Sequence, residues 1–312
     1  MFSISLFFIA KNILYLNINI FIIKLRGVFM WDELPKDKKE KYKKLITNFA
    51  SLSEAFAQKS ENDDIVAPIV NSKFQETAFQ YAFDASAEDI NNSSYDASIN
   101  EEHANYLVGI KTFGLGSGFQ KIAQFKKESP AWIAYFDEIR NNAKNIKNEI
   151  KDEGEIANKT KFKAMVKEKI DKANEDLYKK IALEIAKSRN KRIDESKHKL
   201  QGFNYTEKKE ENTVESVYHV IMPSPKNRKP SLSVGEISYT KIDIDSLEID
   251  GCSDVERPVN FKFHDKNHVY KYTNSDSQLY MHFNNRNIIK ETWEVDYIDD
   301  ALSFFETFNA DN

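Results

Sequence analysis

The apolar pattern of the chain changes from a helical period to a strand period near residue 205. Across residues 131–200, apolar side chains recur at the three- and four-residue spacing of one helix face. A polar linker covers 204–212, and beyond it the apolar residues fall into short runs bounded by turn residues, which is typical of strands. The pattern therefore predicts a helix-rich α/β domain over 30–205 and a β-rich domain over 213–312.

The charge and cysteine content favour a globular protein of a reducing compartment. The 312 residues carry a net charge of −4, which excludes a uniformly basic coat for nucleic acid but not a local basic surface. Residues 142–210 contain 19 Lys+Arg and 13 Asp+Glu, so this region is basic within a nearly neutral chain. The single cysteine, Cys252, excludes an intrachain disulfide and a cysteine-rich zinc site. We expect a cytoplasmic protein.

Residues 1–29 differ from the rest of the chain and permit three interpretations. Their run of Phe, Ile and Leu has the length of a membrane anchor, but polar residues such as Lys11 and Asn17 interrupt it. A signal peptide is disfavoured because no charged segment precedes the run and no small-residue cleavage site follows it. We favour the third interpretation, a start codon placed too early, with the folded protein beginning at Met30. No membrane partner is then expected.

The stretch between residues 72 and 127 combines helices with a β-hairpin. The spacing predicts a helix over 72–83, with its buried side formed by Phe74, Ala78, Tyr81 and Ala82. Two runs of strand-forming residues, 95–99 and 105–112, are separated by a short polar segment, which predicts a hairpin. Glycines follow the second strand, and we expect them to lead into a helix over 119–127.

Three ionisable residues of this stretch form a candidate catalytic group. Asp96 lies in the first predicted strand, Lys111 lies near the end of the second, and Glu76 lies on the preceding helix. Carboxylate oxygens are the ligands that a hard cation such as magnesium (Mg²⁺) prefers. A nearby lysine can orient or deprotonate an attacking water and offset negative charge on phosphorus. The group therefore suits metal-assisted phosphodiester hydrolysis, although an Asp and a Lys on adjacent strands also occur as an ordinary surface ion pair.

At these residues the sequence resembles the PD-(D/E)xK nuclease superfamily, and within it the type II restriction endonucleases. The resemblance covers the stretch from Phe74 to Lys127 and implies an α/β (α+β) fold with a mixed sheet flanked by helices and a magnesium site at one edge. It implies that Asp96 and Glu76 bind Mg²⁺ and that Lys111 acts on the water and the scissile phosphate. The expected partners are double-stranded DNA and, because two strands are cut, a second copy of the chain in a homodimer.

The sequence departs from the family pattern at Gly109, where an acidic residue two positions before the lysine is expected. The second carboxylate can come instead from Glu76, or next from Glu101 or Glu102. Alternatively the site holds one metal with few protein ligands, or it is inactive. The rival function is a non-catalytic module, derived from a nuclease fold, that binds DNA or protein.

Basic and amide side chains outside this group are candidates for DNA contacts. They lie in the predicted helix after the glycines, in a basic helix end over 186–199 and in a proline-bounded loop over 223–230; they are Gln120, Lys121, Arg189, Arg192, Lys226 and Arg228. A solvated helix end and an unpartnered surface loop are the alternative interpretations of the last two segments. Residues 264–268 (HDKNH) resemble part of an HNH motif, but we interpret them as a hairpin turn between two strands.

Overall fold

The computed structural model describes residues 30–57, 64–87, 94–100, 104–152, 159–198 and 213–307. The helices in these ranges are α1 (Met30–Glu33), α2 (Lys36–Ala50), α3 (Ser53–Phe56), α4 (Ser72–Phe83), α5 (Ile133–Asp152), α6 (Lys159–His198) and α7 (Ala301–Thr307), and a 3₁₀ turn spans Ser129–Trp132. The strands are β1 (Ser86–Ala87), β2 (Ala97–Asn100), β3 (Ala104–Thr112), β4 (Phe119–Gln124), β5 (Thr213–Pro223), β6 (Ser231–Ser238), β7 (Glu248–Cys252), β8 (Phe261–His264), β9 (Val269–Thr273), β10 (Gln278–His282) and β11 (Ile289–Glu294).

One sheet is mixed and has six strands in the order β1-β2-β3-β5-β6-β11. Strands β2 and β3 form the predicted antiparallel hairpin, with Ala97 opposite Val108, whereas β3 and β5 run parallel, with Val108 opposite Val217. Helices α2 and α4 pack against each other, and α4 packs on β2 and β3. The expected α/β class, a mixed sheet with flanking helices, is therefore confirmed at this level.

The other sheet is antiparallel and has five strands in the order β4-β10-β9-β8-β7. Its inner face supplies aromatic side chains such as Phe261, Tyr270 and Tyr272 to a core that also contains Ile170 and Ile181 of α6. The turn predicted over 264–268 is confirmed, because β8 and β9 are adjacent antiparallel strands. Asp265 holds this turn by accepting the backbone N–H groups of Asn267 and His268 at 2.8 and 2.7 Å.

Both sheets contain strands from each side of the expected domain boundary between 205 and 213. The parallel pairing of β3 with β5 joins residues 104–112 to 213–221, and β4 pairs with β10 through Phe119 and His282. Because each sheet contains strands from both parts of the chain, the structure differs from the expected division into 30–205 and 213–312. Strand pairing over such separations leaves no local trace in the sequence, whereas the change of period near 205 does.

The helix predicted over 119–127 is wrong, because residues Phe119–Gln124 form strand β4. The strand is specified by its partner β10, which lies near the other end of the described chain. Helix α4 has the predicted bounds, Ser72–Phe83, but its inner face differs in detail. Tyr81 is 63% exposed, and Phe79 and Gln75 are buried in its place.

A second core cluster lies between the six-stranded sheet and helices α1, α2 and α4. Trp31 of α1 and Tyr42 of α2 pack around His219, with Trp31 stacked on the imidazole at a centroid distance of 5.3 Å. Complete burial lowers the pKa of His219 to about 3, so the ring is neutral at physiological pH.

Within the described residues, no helix combines the length and the apolar character needed to cross a bilayer. Residues 1–29, the apolar stretch, and the linker 204–212 lie outside the described residues.

Candidate active site and candidate DNA contacts

The structure brings Asp96 and Lys111 together at one end of the β2–β3 hairpin. Asp96 immediately precedes β2, and its backbone N–H donates to the Val108 carbonyl at 2.9 Å. Lys111 lies near the end of β3, and its Nζ is 3.8 Å from Asp96 Oδ2. The Asp96 side chain is 24% exposed and the Lys111 side chain is 30% exposed, so solvent can reach the pair. The antiparallel register of the hairpin thus brings two residues that are separated in the sequence into an ion pair.

The carboxylate of Asp96 is also held by the backbone of the neighbouring strand. The Ile110 N–H donates to Asp96 Oδ2 at 2.6 Å. A charged acceptor strengthens such a bond and restricts the rotation of the carboxylate. Asp96 is therefore oriented by β3 from two directions, through its own backbone N–H and through its side chain.

Helix α4 approaches the same end of the hairpin with polar side chains. Gln80 Nε2 donates to the Asp96 carbonyl at 3.5 Å, and Gln75 Oε1 accepts from the Thr112 hydroxyl. Glu76 lies one turn before Gln80 on the same helix face, since residues four apart are neighbours on a helix. Its carboxylate is 17% exposed and forms an ion pair with Lys73 at 2.7 Å. Sequence reasoning missed Gln80, although its spacing of four from Glu76 is a usable signal.

The position of the expected acid, Gly109, is closed by two aromatic rings. A Cβ atom at Gly109 would lie 2.9 Å from Tyr218 Cδ1 and 3.1 Å from Tyr239 Cδ2. Any side chain there requires these rings to move, so the glycine is a packing requirement of this fold. The alternative acids Glu101 and Glu102 lie outside the described residues. Within the described ranges, no three His, Cys, Asp or Glu residues are grouped so as to hold a metal ion.

Two arginines predicted to contact DNA donate hydrogen bonds to backbone carbonyls of neighbouring segments. Arg189 is 2% exposed, and its Nη1 donates to the Thr240 carbonyl at 2.7 Å. Arg192 donates to the Gln124 carbonyl at 2.7 Å and forms an ion pair with Glu128. These bonds tie the basic end of α6 to β4 and to the segment after β6, and they leave the Arg192 side chain 34% exposed. Arg189 is thus not exposed as a surface contact for DNA.

The loop between β5 and β6 is exposed and rigidly placed. Lys226 forms an ion pair with Asp64 at 2.6 Å, and the Asn227 N–H donates to the Ile65 carbonyl at 2.8 Å. Asn227 has φ +60°, a left-handed conformation that Asn tolerates better than most residues. Arg228, at the tip, is exposed. The structure therefore presents Arg228 to solvent, whereas Lys226 nearby in the loop forms an ion pair with Asp64.

The outer face of the five-stranded sheet carries a row of lysines and rings. Lys121, Tyr280, Lys271 and Lys262 lie side by side on β4, β10, β9 and β8. Lys271 Nζ is 5.2 Å from the centroid of the Phe119 ring and 4.8 Å from that of Tyr280. Positive charge interleaved with aromatic rings is the surface chemistry that binds nucleic acid strands. The predicted contact Lys121 is exposed in this row, and Gln120 is half-buried on the same strand.

Neither a protein-family model, nor a curated protein, nor a solved structure matches this chain. The resemblance to PD-(D/E)xK nucleases therefore remains a prediction, carried by the residues described above.

Proposed function

We propose that the protein is a Mg²⁺-dependent endodeoxyribonuclease that hydrolyses phosphodiester bonds in double-stranded DNA, in the manner of a type II restriction endonuclease. The proposal includes the restriction-endonuclease-like fold, a homodimer and a cytoplasmic location. Asp96 is the metal ligand, Lys111 acts on the attacking water and the scissile phosphate, and Glu76 binds or positions the metal. The carrying observation is the approach of Lys111 Nζ to Asp96 Oδ2, at 3.8 Å.

The Asp96–Lys111 pair has the charges that phosphodiester hydrolysis requires. Hydrolysis adds negative charge to the phosphate as a water attacks, and a fixed ammonium beside the phosphate stabilises that charge. Lys111 is half-buried and its ammonium lies beside the Asp96 carboxylate, so a phosphate bound at this pair would meet both groups. The Ile110 N–H fixes the carboxylate in turn. Each group is thus oriented before substrate arrives.

The residues present fit a magnesium ion with few protein ligands. Mg²⁺ keeps several waters and commonly takes one or two carboxylates together with substrate phosphate oxygens. Asp96 supplies a partly exposed carboxylate, and Glu76 supplies a second from the helix that touches Asp96 through Gln80. When bound, the ion would polarise the phosphate and acidify a water. Glu76 would have to leave its ion pair with Lys73 to take part.

DNA would be held by exposed and half-buried basic groups on two surfaces. Lys121, Lys262 and Lys271 form a positive row on the outer face of the five-stranded sheet. Arg228 projects from the rigid loop between β5 and β6, with a side chain suited to guanine edges. Binding that depends on such charges weakens as salt rises, because the release of counterions from the DNA then contributes less free energy.

A non-catalytic module that binds DNA or protein is the second candidate. The observation that favours it is the closure of Gly109 by Tyr218 and Tyr239, which removes the acid that the family pattern expects. Salt-sensitive DNA binding that needs no metal, without cleavage in any divalent ion, would support this function.

The proposal is tested by cleavage of plasmid DNA with Mg²⁺, with EDTA as the metal-free control. Asp96→Ala and Lys111→Ala are each expected to lower the rate by roughly 100-fold or more. Asp84→Ala, in an exposed ion pair with Lys38 at 3.0 Å, is the matched control for loss of an acid. Cleavage at the wild-type rate by either site variant would refute the assignment.

A further inference from the structure

The outer face of the five-stranded sheet is open to solvent. On β8, β9 and β10 every second side chain is buried in the core shared with helix α6, and the side chains between them all keep exposed surface. Such alternation is typical of a sheet with one packed and one solvated face. Three outward lysines, Lys121, Lys271 and Lys262, cross this face side by side, with Tyr280 between the first two. We call these three residues the lysine row.

The lysine row has no acidic partner among the described residues. The acids of the neighbouring strand β7 are engaged by a histidine: Asp250 Oδ1 lies 2.8 Å from His264 Nδ1, and Glu248 Oε2 lies 3.5 Å from His264 Nε2. Because strands in a sheet are about 4.8 Å apart, the row crosses roughly 14 Å of surface. This face therefore presents a line of three positive charges that the described part of the chain does not pair.

Two aromatic rings lie among these lysines. Lys271 Nζ is 4.8 Å from the centroid of the Tyr280 ring and 5.2 Å from that of Phe119, and Lys262 Nζ is 5.4 Å from the Phe119 centroid. The Tyr280 hydroxyl donates to Gln278 Oε1 at 2.9 Å, which restricts the rotation of the ring. Phe119 and Tyr280 are both half-buried, so each keeps part of its surface exposed. An ammonium group thus lies within reach of a molecule stacked on either ring.

We infer that this face binds an unpaired nucleic acid strand, with bases stacked on Phe119 and Tyr280 and phosphates at the lysine row. Positive charge that follows the strand, combined with rings on which bases stack, is the chemistry of single-strand binding that tolerates many sequences. Cation–π contacts at a solvated surface are weak, so Lys271 can exchange the rings for a phosphate when a strand binds.

The rings and the lysines should have separable effects on binding. In a duplex the base faces are stacked on one another, so only the phosphates of a duplex can reach this face. The lysine row can hold the phosphates of either form, whereas the two rings stabilise the unpaired form alone. This site goes beyond the proposed function, which concerns a duplex cut at Asp96, and does not rest on it.

Fluorescence anisotropy with the full chain in EDTA tests the site, because metal-dependent cleavage does not take place there. The probes are a labelled thymidine dodecanucleotide, a uridine dodecanucleotide, and a DNA duplex of the same length. We expect the unpaired strands to bind about tenfold more tightly than the duplex.

Removal of one ring by Tyr280→Leu keeps an apolar side chain in the strand. It should weaken binding of the unpaired strand by about tenfold and change binding of the duplex by less than about twofold. Tyr81→Leu is the matched control on helix α4, since Tyr81 is 63% exposed and Lys41 Nζ lies 3.7 Å from its ring centroid. The control should leave both affinities unchanged. If Tyr280→Leu does not fold, Phe119→Leu decides by the same criteria.

The paired variant Lys121→Ala/Lys262→Ala should weaken binding of both forms by about tenfold. It should also make the affinity less dependent on salt, because fewer phosphates are neutralised, whereas the ring variant should keep the wild-type salt dependence. The control Lys172→Ala/Lys179→Ala removes two exposed lysines of α6 and should change neither quantity.

Tighter binding of the thymidine strand would assign the site to DNA and tighter binding of the uridine strand would assign it to RNA, and both support it. Equal affinity for the duplex and the unpaired strands would overturn the inference, as would equal losses for both forms in Tyr280→Leu. Asp96→Ala should bind the unpaired strand like the wild type. A failure of strand binding is therefore distinguishable from a failure of the proposed cleavage.

Discussion

The six-stranded sheet and the end of helix α6 both contain buried charged side chains, but the groups around those side chains differ. In the sheet, Asp96 is paired with Lys111 and held by the Ile110 N–H, and the buried Glu236 accepts the N–H groups of Met30 and Trp31 at 2.8 and 2.7 Å. At the end of α6, Arg189 is as deeply buried as Glu236, both being 2% exposed, but its surroundings are the Thr240 carbonyl and buried tyrosine rings. An ion pair and backbone N–H groups therefore surround the acids of the sheet, whereas a carbonyl and aromatic rings surround the cation of α6.

The two regions also differ in how far their charged groups are exposed to a substrate. An oriented, partly exposed ion pair is prepared to act on a substrate and is stable without one. A buried arginine that faces aromatic rings is instead stabilised within the chain by the ring faces and by its carbonyl partner. The two tyrosines that close Gly109 connect the regions, since Tyr239 also stacks on Arg189. The following substitutions test the packing around Gly109 and the roles of the acids Glu236 and Glu76.

Restoring the expected acid with Gly109→Asp should destabilise the protein by more than about 3 kcal/mol, because the new side chain collides with Tyr218 and buries a carboxylate. The measurement is the free energy of unfolding in urea. Gly114→Ala is the matched control, since a Cβ there meets its nearest atom, the Ser117 hydroxyl oxygen, at 3.8 Å. A stable Gly109→Asp protein with faster cleavage would show that the site can hold the acid after all.

Glu236 should make stability fall as pH rises. Burial raises the pKa of its carboxyl to about 7, against an ordinary value of 4.5, so the folded protein binds a proton that the unfolded chain has released between these values. Stability from this group is complete below about pH 4.5 and declines up to about pH 7, by roughly 3 kcal/mol for a shift of this size. Urea unfolding at several pH values measures the slope.

The substitution Glu236→Gln should flatten that decline. Glu294→Gln, at an exposed acid paired with Lys229, should leave it unchanged. An unaltered slope in the Glu236→Gln protein would mean that another group titrates.

Glu76→Gln should lower the rate of plasmid cleavage by about tenfold, a smaller loss than expected at Asp96. The loss is smaller because the Glu76 carboxylate already pairs with Lys73 and would only position the metal from helix α4. Lys73→Ala frees the carboxylate and should not slow cleavage. Equal rates for Glu76→Gln and wild type would remove Glu76 from the metal site. A loss as large as that of the Asp96 variants would make it a full ligand.

A chain that begins at Met30 should unfold with the same free energy as the full chain, within about 0.5 kcal/mol. Met30 is fully buried, and its backbone nitrogen would donate to Glu236 as an ammonium in the shorter chain. Thermal and urea unfolding of residues 30–312 and of the full chain make the comparison. A destabilisation above about 1 kcal/mol would assign residues 1–29 a role in the fold.

Local sequence signals predict the parts of the molecule that depend on local structure. Helix α4 begins and ends as its periodicity indicates, and the β2–β3 hairpin brings Asp96 to Lys111 as the spacing indicates. Strand β4 differs from the helix predicted there because its partner β10 is remote in sequence. The parallel pairing of β3 with β5 escapes prediction for the same reason.

The burial of individual residues, like long-range strand pairing, cannot be predicted from the local sequence. Arg189 lies in a run of basic residues that is indistinguishable from a solvated helix end, and only the packing of α6 shows it to be interior. Gly109 likewise resembles a missing acid, whereas the rings of Tyr218 and Tyr239 explain it as a close contact. Side chains that are distant in sequence determine both results.

The most direct test of the account is a double-mutant cycle on plasmid cleavage with Mg²⁺, using the near-isosteric variants Asp96→Asn and Lys111→Met and their combination. If the two residues act as one catalytic unit, each single variant should lose roughly 100-fold or more, and the combined variant should cut no more slowly than the slower single one. Losses that multiply in the combined variant, or a single variant that cuts at the wild-type rate, would contradict the account.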